Sequence, residues 1–225
     1  MQPSTTIPQY LRDTYWWAYV HPRAVRFFER QWLVNLILWG NFAKLRDAAL
    51  DALGEELPGR TLQIACVYGD FTPRAAARLT RDATLDVVDV LPIQLANLRR
   101  KLPRDCAVNL VHRDASDLRF ADASYDRVVL FFLLHEMPLE VRRRTLAEAM
   151  RVVKPGGRVV IVDYHRPAWW HPLRPLMRLI LRRFEPFAMD LWSHEVREWV
   201  PGVSAGSIEK RTYWGGLYQE LRIRA

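Results

Sequence analysis

Cysteine and long hydrophobic runs are scarce in this sequence, and both shortages limit the classes of protein to which it can belong. The 225 residues include 2 Cys, too few for a disulfide framework, which favours a reducing compartment. The longest apolar stretch, residues 32–40, is far shorter than the roughly 20 residues that a membrane-spanning helix needs. The N-terminus lacks a basic segment followed by an apolar one, so we expect no secretory signal peptide.

Tryptophan is absent from residues 40–168, although the chain has 9 of them. This contrast predicts a core with a separate covering layer formed by the two ends. Half of the residues are hydrophobic and 26% are charged, which excludes a disordered chain. The net charge of +8 permits nucleic acid, anionic lipid or an anionic small molecule as partner. We expect no nucleic acid, because the arginines are scattered and no nucleic-acid-binding motif is present.

Short apolar runs alternate with helical patterns through the middle of the chain, which predicts an α/β doubly wound sheet. The expected strands are residues 62–67, 85–90, 108–112, 127–134 and 158–164. Thr72 and Pro73 are expected to begin the first intervening helix as its N-cap and first residue. Lys154-Pro155-Gly156-Gly157 is expected to end the last helix in a turn.

The chain is predicted to be a single domain, residues 1–225, with four parts. These are an aromatic N-terminal helical cap (10–41), a cofactor-binding core (42–165), a basic amphipathic lid (167–200) and a C-terminal hairpin (207–224).

The ends of the first three predicted strands carry residues suited to a nucleotide-like ligand. Gly69 lies in the loop after the first strand, and Asp89 follows about 20 positions later, where a carboxylate can accept hydrogen bonds from a ribose. Asp114 can accept from an adenine amine, and Ala115 leaves room for the ring. A plain strand-to-helix turn, a helix-capping Asp89 and a turn-forming Asp114 remain open alternatives.

The pattern as a whole resembles that of class I S-adenosylmethionine (SAM)-dependent methyltransferases. The motifs that carry the resemblance are Ala65-x-Val67-x-Gly69, Asp89, Asp114-Ala115-x-Asp117-Leu118, Tyr125-Asp126-Arg127-Val128-Val129, Leu134-His135-Glu136 and Val153-Lys154-Pro155-Gly156-Gly157-Arg158. The resemblance implies a Rossmann-like seven-stranded sheet, with the lid inserted before the last strand pair and SAM bound at the strand ends. The implied SAM-binding residues are Ala65, Cys66, Val67, Tyr68, Gly69, Asp70, Asp89, Val90, Asp114 and Ala115.

A closer resemblance is to the rhodoquinone biosynthesis enzymes of the quinone-modifying branch. It is carried by Tyr15-Trp16-Trp17-Ala18-Tyr19-Val20-His21-Pro22, Ala65-Cys66-Val67-Tyr68-Gly69-Asp70, Leu133-Leu134-His135-Glu136-Met137-Pro138 and Val162-Asp163-Tyr164-His165. It implies replacement of a ubiquinone methoxy group by an amino group, with SAM as amino donor and Mn²⁺ as metal.

The first loop departs from ordinary methyltransferases, since Ala65 and Val67 replace two glycines and Gln63 replaces an acidic residue. We therefore hypothesise that SAM binds in an altered pose that exposes its α-amino nitrogen. Conventional methylation of a quinone or another hydrophobic small molecule is one alternative. A non-catalytic component of a quinone-biosynthesis assembly is another.

The ends of the fourth and fifth strands carry the expected catalytic residues, His135, Asp163 and Tyr164. A histidine can act as a general base or metal ligand near neutral pH. Asp163 and His165 share one face of an extended segment, so the expected metal ligands are His135, Asp163 and His165. A helix-entry histidine and a hydrogen-bonded strand-end cluster are the structural alternatives.

The two ends of the chain are predicted to meet the substrate and the membrane. Aromatic faces can stack on a quinone, and the expected substrate contacts are Tyr15, Trp16, Trp17, Tyr19 and His21. The lid combines arginines with an apolar face, which is typical of a segment bound at an anionic membrane surface. We expect a cytoplasmic, bacterial enzyme at the inner membrane. Ordinary helix packing and a solvated lid helix are the alternatives.

Overall fold

A computed structural model describes residues 7–16, 21–202 and 205–225. Its strands are β1 (Arg60–Ile64), β2 (Thr84–Asp89), β3 (Val108–His112), β4 (Tyr125–Phe131), β5 (Val153–Tyr164), β6 (Ile208–Tyr213) and β7 (Tyr218–Arg224). Its α-helices are α1 (Gln9–Thr14), α2 (Pro22–Phe28), α3 (Gln31–Ile37), α4 (Phe42–Leu53), α5 (Phe71–Ala76), α6 (Pro92–Arg99), α7 (Leu139–Val152), α8 (Arg174–Phe184) and α9 (Asp190–Ser193). Short 3₁₀ turns cover Leu134–Glu136, Pro186–Met189, Val196–Trp199 and Ala205–Ser207.

The strands form one seven-stranded sheet in the order β3-β2-β1-β4-β5-β7-β6. All pairs from β3 to β5 are parallel, and β7 runs antiparallel to both β5 and β6. The predicted doubly wound, seven-stranded sheet is thereby confirmed. The strand order reverses between β1 and β4, and ligands of doubly wound sheets bind at the carboxyl ends of the strands beside such a reversal.

Apolar side chains on both faces of the central strands explain why these segments lie inside the sheet. Leu62 and Ile64 of β1 are fully buried, as is the run 159–162 of β5. A strand of this composition needs a layer on each face. Helix α4 packs on one side against β4 and β5, and α6 packs against β2 and β3.

Two local expectations were wrong. Thr72 does not cap α5, which begins at Phe71, because the Thr72 hydroxyl donates instead to Gln63 Oε1 at 2.9 Å. The segment after α7 does not form a separate turn. It is already part of β5. Tyr125 of β4 pairs with Val153 and Arg127 pairs with Arg158, so β5 has more residues than β4 over this stretch, and the strand pairing is irregular around Gly156.

The two ends of the chain pack over the same edge of the sheet and contact one another. The indole nitrogen of Trp39, just after α3, donates to the sulfur of Met177 in α8 at 3.1 Å. Trp192 and Trp199 are buried in the main core, so the tryptophan-rich end is partly continuous with it. Along the described residues, we find no helix with the length and apolar character needed to cross a bilayer.

Arg142 of α7 joins the segment after β4 to the segment after α8. Its guanidinium is fully buried and donates to the carbonyl oxygens of Leu134, Met137 and Phe187 at 2.9–3.0 Å. It also pairs with Asp190 at 3.2 Å. A buried guanidinium is tolerated only when its donors are satisfied, so these contacts fix the two segments relative to each other.

Candidate active site

A cavity of about 540 Å³ lies at the carboxyl ends of the strands, a size typical of small-molecule sites. Its walls come from the loop after β1, the ends of β2 to β5, the N-terminal helices and α8. Most of the lining is apolar, and its ionisable side chains are Tyr10, Cys66, Tyr68, Asp89, Arg113, Asp114, His135, Glu136, Tyr164 and Glu185. The site can thus bind an extended ligand that is polar at some points and apolar elsewhere.

The loop after β1 keeps a tight shape despite its few glycines. Ala65 has a φ of 71°, in the region that favours glycine. The Gln63 amide donates to the Ala65 carbonyl at 2.9 Å, and Asp89 Oδ2 accepts from the Cys66 amide at 2.8 Å. Side chains of neighbouring strands thus hold the strained backbone in place, and Ala65, Cys66 and Val67 line the cavity.

A second set of contacts fastens the far side of this loop to the N-terminal cap. Lys101 Nζ donates to the Gly69 carbonyl and to Glu29, both at 2.8 Å. Glu29 Oε1 also accepts from the Gly69 amide at 3.2 Å, and Glu29 Oε2 accepts from Asn97. The cap therefore supports the cofactor loop directly, which nothing in the spacing of Glu29 and Lys101 predicts.

The backbone at Gly69 suits glycine for two reasons, since its φ is +84° and an added Cβ would lie 2.6 Å from Phe42 Cζ. Gly69→Ala is therefore expected to lower the free energy of unfolding by about 2–4 kcal/mol. Gly156→Ala is the matched control, because Gly156 has a φ of +78° but nothing within 4 Å. Urea denaturation of both variants should give a clearly smaller loss for Gly156→Ala. Equal losses would show that the Phe42 contact is unimportant.

Asp70 and Gly69 support the loop from behind and are not cavity-lining residues. The Asp70 carboxylate binds Arg46 at 2.8 Å and Arg74 at 2.6 Å. Burial disfavours the carboxylate, but the two arginines outweigh it and lower the pKa of Asp70. Tyr68 does line the cavity, where its hydroxyl accepts from Gln94 at 2.9 Å.

Asp89, Val90, Asp114 and Ala115 all line the cavity, at the ends of β2 and β3. Asp89 also accepts from the Leu91 amide at 2.8 Å, and burial raises its pKa to about 6. Asp114 Oδ1 accepts from both the amide and hydroxyl of Ser116. Each aspartate therefore also stabilises the turn that follows its own strand. These contacts correspond to the structural roles considered from the sequence, a helix-capping Asp89 and a turn-forming Asp114.

His135 and Asp163 form a buried pair at the ends of β4 and β5. His135 Nδ1 lies 2.9 Å from Asp163 Oδ1, and the carboxylate also accepts from the Tyr164 amide at 2.7 Å. Its other oxygen accepts from the amides of Leu133, Leu134 and His135 at 2.7–3.3 Å. Asp163 therefore orients the imidazole and fixes the backbone on which the imidazole lies.

The charge of Asp163 controls the protonation of His135. Burial disfavours the imidazolium, but the charge and hydrogen bond of Asp163 outweigh it and raise the pKa of His135 to about 9. Nδ1 is held by Asp163, and Nε2 lies 3.7 Å from Glu136 Oε1. Tyr164 packs edge-on against the imidazole at 5.0 Å, and burial raises the pKa of its phenol. At neutral pH His135 is therefore a proton donor in the cavity wall.

The three expected metal ligands do not come together, because His135 contacts Asp163 while His165 lies apart from both. His165 faces the β6–β7 hairpin, where Nδ1 donates to the Gly216 carbonyl at 2.8 Å and Nε2 accepts from Lys210 at 2.9 Å. The Asp163 oxygens already accept from backbone amides and His135. Across the described ranges there is no group of His, Cys, Asp and Glu side chains able to hold a metal ion. These residues do not fit a bound Mn²⁺.

Of the expected substrate contacts, Tyr15, Trp16 and His21 lie outside the cavity wall. Tyr15 is fully buried against Phe187, with ring centroids 6.5 Å apart. Trp16 is 54% exposed and contacts His21, whose Nδ1 accepts from the Arg23 amide at the start of α2. Trp17 and Tyr19 lie outside the described residues. The cap contributes other residues to the cavity instead, namely Tyr10, Leu11, Phe28, Val34, Leu36, Ile37, Leu38 and Trp39.

Glu185 is the cavity residue that sequence reasoning missed most clearly. It follows α8 in the lid, far in sequence from the strand ends, and shows no recognisable motif. Glu136 was visible within the Leu134-His135-Glu136 motif but was not assigned a role. The only available signal for Glu185 was a lone acidic residue at the end of an arginine-rich helix.

Comparisons with known proteins agree with this geometry. The model of a methyltransferase domain family matches residues 61–157. A demethylmenaquinone methyltransferase of Beutenbergia cavernae is 32% identical over 78% of this chain and 74% of its own length. One from Renibacterium salmoninarum is 31% identical over 81% of each chain.

The fold is similar to that of the N-methyltransferase NodS from Bradyrhizobium japonicum, with a TM-score of 0.60. The identity is 16%, and the match covers 81% of this chain and 94% of NodS. Similarity at this level concerns the fold alone, whereas the identity to the two curated relatives extends over most of their length. The chain therefore belongs to the class I SAM-dependent methyltransferase family.

Proposed function

We propose that this protein converts ubiquinone to rhodoquinone, replacing a ring methoxy group by an amino group with SAM as amino donor. Such a reaction would form one ring C–N bond and release the methoxy group as methanol. It would also break the Cα–N bond of SAM, whose remainder would leave as the corresponding unsaturated acid, so that no oxidant or reductant is needed. The observation that carries the proposal is the loop after β1. Its cavity face consists of Ala65, Cys66, Val67 and Tyr68, and Gln63 behind it is neutral and bonded to Thr72 and Ala65. A β-branched Val67 narrows the space beside the loop, which favours an altered SAM pose.

The residues at the ends of β2 and β3 fit the adenosine part of SAM. Asp89 keeps a carboxylate at the cavity surface for the ribose hydroxyls, and Ala115 leaves room for adenine beside Asp114. Bound SAM supplies the group that is transferred. The chain's own residues orient it, exclude water with the cap and lid, and hold a proton on His135.

The apolar part of the cavity favours a quinone as acceptor. Its lining includes Phe131, Phe132 and Tyr164 at the ends of β4 and β5, which β1 separates from β2 and β3, together with the α8 residues Ile180 and Phe184. Two of the relatives are named as demethylmenaquinone methyltransferases, which supports a quinone as acceptor. His135 would donate a hydrogen bond to a quinone carbonyl and make the ring more electrophilic.

The direct test is to incubate the purified protein with SAM and a short-chain ubiquinone, with and without manganese, and to determine the product by mass spectrometry. Replacement of a methoxy by an amino group is the expected result. The second candidate, conventional methylation of a quinone, is favoured by the names of the relatives, and it predicts gain of a methyl group. No turnover in any condition would favour the non-catalytic alternative.

We also infer that the protein meets its substrate at an anionic membrane surface, on the cytoplasmic side of the inner membrane. Among the described residues, the exposed large hydrophobic side chains lie only in the cap and lid. They are Trp16, Phe27, Trp32, Leu36, Ile37, Trp169, Trp170, Leu176, Leu179 and Phe184. Leu36, Ile37 and Phe184 also line the cavity, so its mouth opens among them.

Charge reversal of Arg178, Arg182 and Arg183 to Glu is expected to lower binding to anionic vesicles by more than about tenfold, since each arginine near such a surface contributes roughly 1 kcal/mol. Reversal of the exposed Arg81, Arg99 and Arg104 in the core domain is the matched control. Co-sedimentation with phosphatidylglycerol vesicles measures both. Absence of wild-type binding, or equal loss in the two triple variants, would overturn the membrane proposal.

A further inference from the structure

Glu185 places a carboxylate in the wall of the cavity from outside the sheet. The residue follows α8 and is fixed by its amide, which donates to the Leu181 carbonyl at 2.8 Å. Its side chain lines the cavity beside Phe184. Among the described residues no well-aligned donor reaches the Oε2 oxygen, which is sealed from solvent, and the Tyr15 hydroxyl is the group that interacts with this carboxyl. A buried carboxylate oxygen that is poorly paired is unfavourable, and a ligand that donates to it would remove that cost.

The groups around Glu185 leave this end of the cavity with an excess of negative charge. The Tyr15 hydroxyl and the His135 imidazole face it, and His135 in turn contacts Asp163 through Nδ1 and Glu136 through Nε2. Burial raises the pKa of Glu185, and His135 lowers it. Arg142 faces Asp163 but is already bonded to Asp190 and three carbonyls. One imidazolium therefore faces three carboxyl groups, a setting that favours a cationic ligand.

The loop after β1, at the other end of the cavity, offers no negative charge to a cationic ligand. The side chain behind the β1 loop is Gln63, which is neutral, fully buried and bonded at both its amide nitrogen and oxygen. Asp89 and Asp114 lie further away, at the ends of β2 and β3. Arg113, which also lines the cavity, stacks on Phe120 and donates to the Leu118 carbonyl. A ligand with its adenosine at β2 and β3 would extend its other end toward β4, β5 and Glu185.

We propose that Glu185 binds the α-ammonium group of SAM and so sets the altered pose in which that nitrogen faces the quinone. The proposal rests on the proposed function for its cofactor, but it concerns binding alone. The lid, rather than the loop after β1, then supplies the negative charge for the amino-acid end of SAM.

The test compares two ligands and three proteins by isothermal titration calorimetry. The ligands are SAM and 5′-deoxy-5′-methylthioadenosine, which keeps the adenosine and lacks the amino-acid end. The proteins are the wild type, Glu185→Gln and Glu140→Gln. Glu140 is an exposed carboxylate in α7 that serves as the matched control. Loss of a charged hydrogen bond should weaken SAM binding by about tenfold or more in Glu185→Gln.

Methylthioadenosine is expected to bind wild type and Glu185→Gln equally, and Glu140→Gln should bind both ligands as wild type does. Unchanged SAM binding in Glu185→Gln, or equal weakening of both ligands, would overturn the proposal. Thermal unfolding of Glu185→Gln shows whether equal weakening comes from misfolding, and Glu185→Asp then provides a second variant that keeps the charge. Failure of the proposed function would appear in the wild-type product and would leave the binding difference intact.

Discussion

Asp163→Asn is expected to lower the free energy of unfolding by about 3–5 kcal/mol, because it removes one partner of a buried ion pair. The carboxylate accepts four backbone amides as well as the imidazole of His135. An asparagine has only one accepting oxygen, so its amide nitrogen would face donors that need an acceptor. Guanidinium denaturation at neutral pH measures the loss. Asp122→Asn, at an exposed pair with Arg151, is the control and should change stability little.

The same variant should abolish a pH dependence of stability that the wild type shows. The folded-state pKa of His135 is raised to about 9 from 6.5. The protonated imidazole therefore stabilises the folded state fully below pH 6.5, and this contribution is lost as the pH rises through about 9. The free energy of unfolding should fall by roughly 3 kcal/mol over this range. His135→Gln should show no such loss over this range. An Asp163→Asn variant that retained the wild-type dependence would contradict the assigned role of Asp163.

His135→Gln is expected to reduce turnover by about 100-fold or more while leaving SAM affinity within about twofold. His135 lines the cavity, and Asp163 keeps it protonated, so it can supply a proton or hydrogen bond to the quinone. Glutamine can still donate a hydrogen bond but cannot transfer a proton. The adenosine-binding residues lie at the ends of β2 and β3, away from this change.

Single-turnover product formation and SAM titration separate these two effects. His194→Gln is the matched control, since His194 is exposed beyond α9 and is not a cavity-lining residue. It should retain wild-type turnover. Near-normal turnover of His135→Gln would remove His135 from the chemistry, and an equal fall in SAM affinity would point to a structural role.

The sheet was predictable because its central parallel strands are buried on both faces and therefore appear in the sequence as short, nearly continuous apolar runs. The run that contains Leu62 and Ile64 is an example, and a parallel sheet needs little further information. Asp89, Asp114 and His135 were predictable for a related reason. Residues that end successive parallel strands meet at one edge of the sheet.

The cap and lid were less predictable, because their side chains are placed by contacts between distant segments. Tyr15 was expected to meet the substrate, yet it packs on Phe187. His165 was grouped with Asp163 by spacing alone, but both of its ring nitrogens form hydrogen bonds with the β6–β7 hairpin. Glu185 enters the cavity only because of how α8 packs, which no local pattern encodes.

The most direct test of the central claim follows the cofactor's atoms into the product. The purified protein is incubated with short-chain ubiquinone and SAM that carries heavy nitrogen at the α-amino group and heavy carbon at the methyl group. Amination predicts a quinone product that has lost a methoxy group and contains the heavy nitrogen without the heavy carbon. A product that contains the heavy carbon and no heavy nitrogen would show that the protein is a conventional methyltransferase and would contradict the proposal.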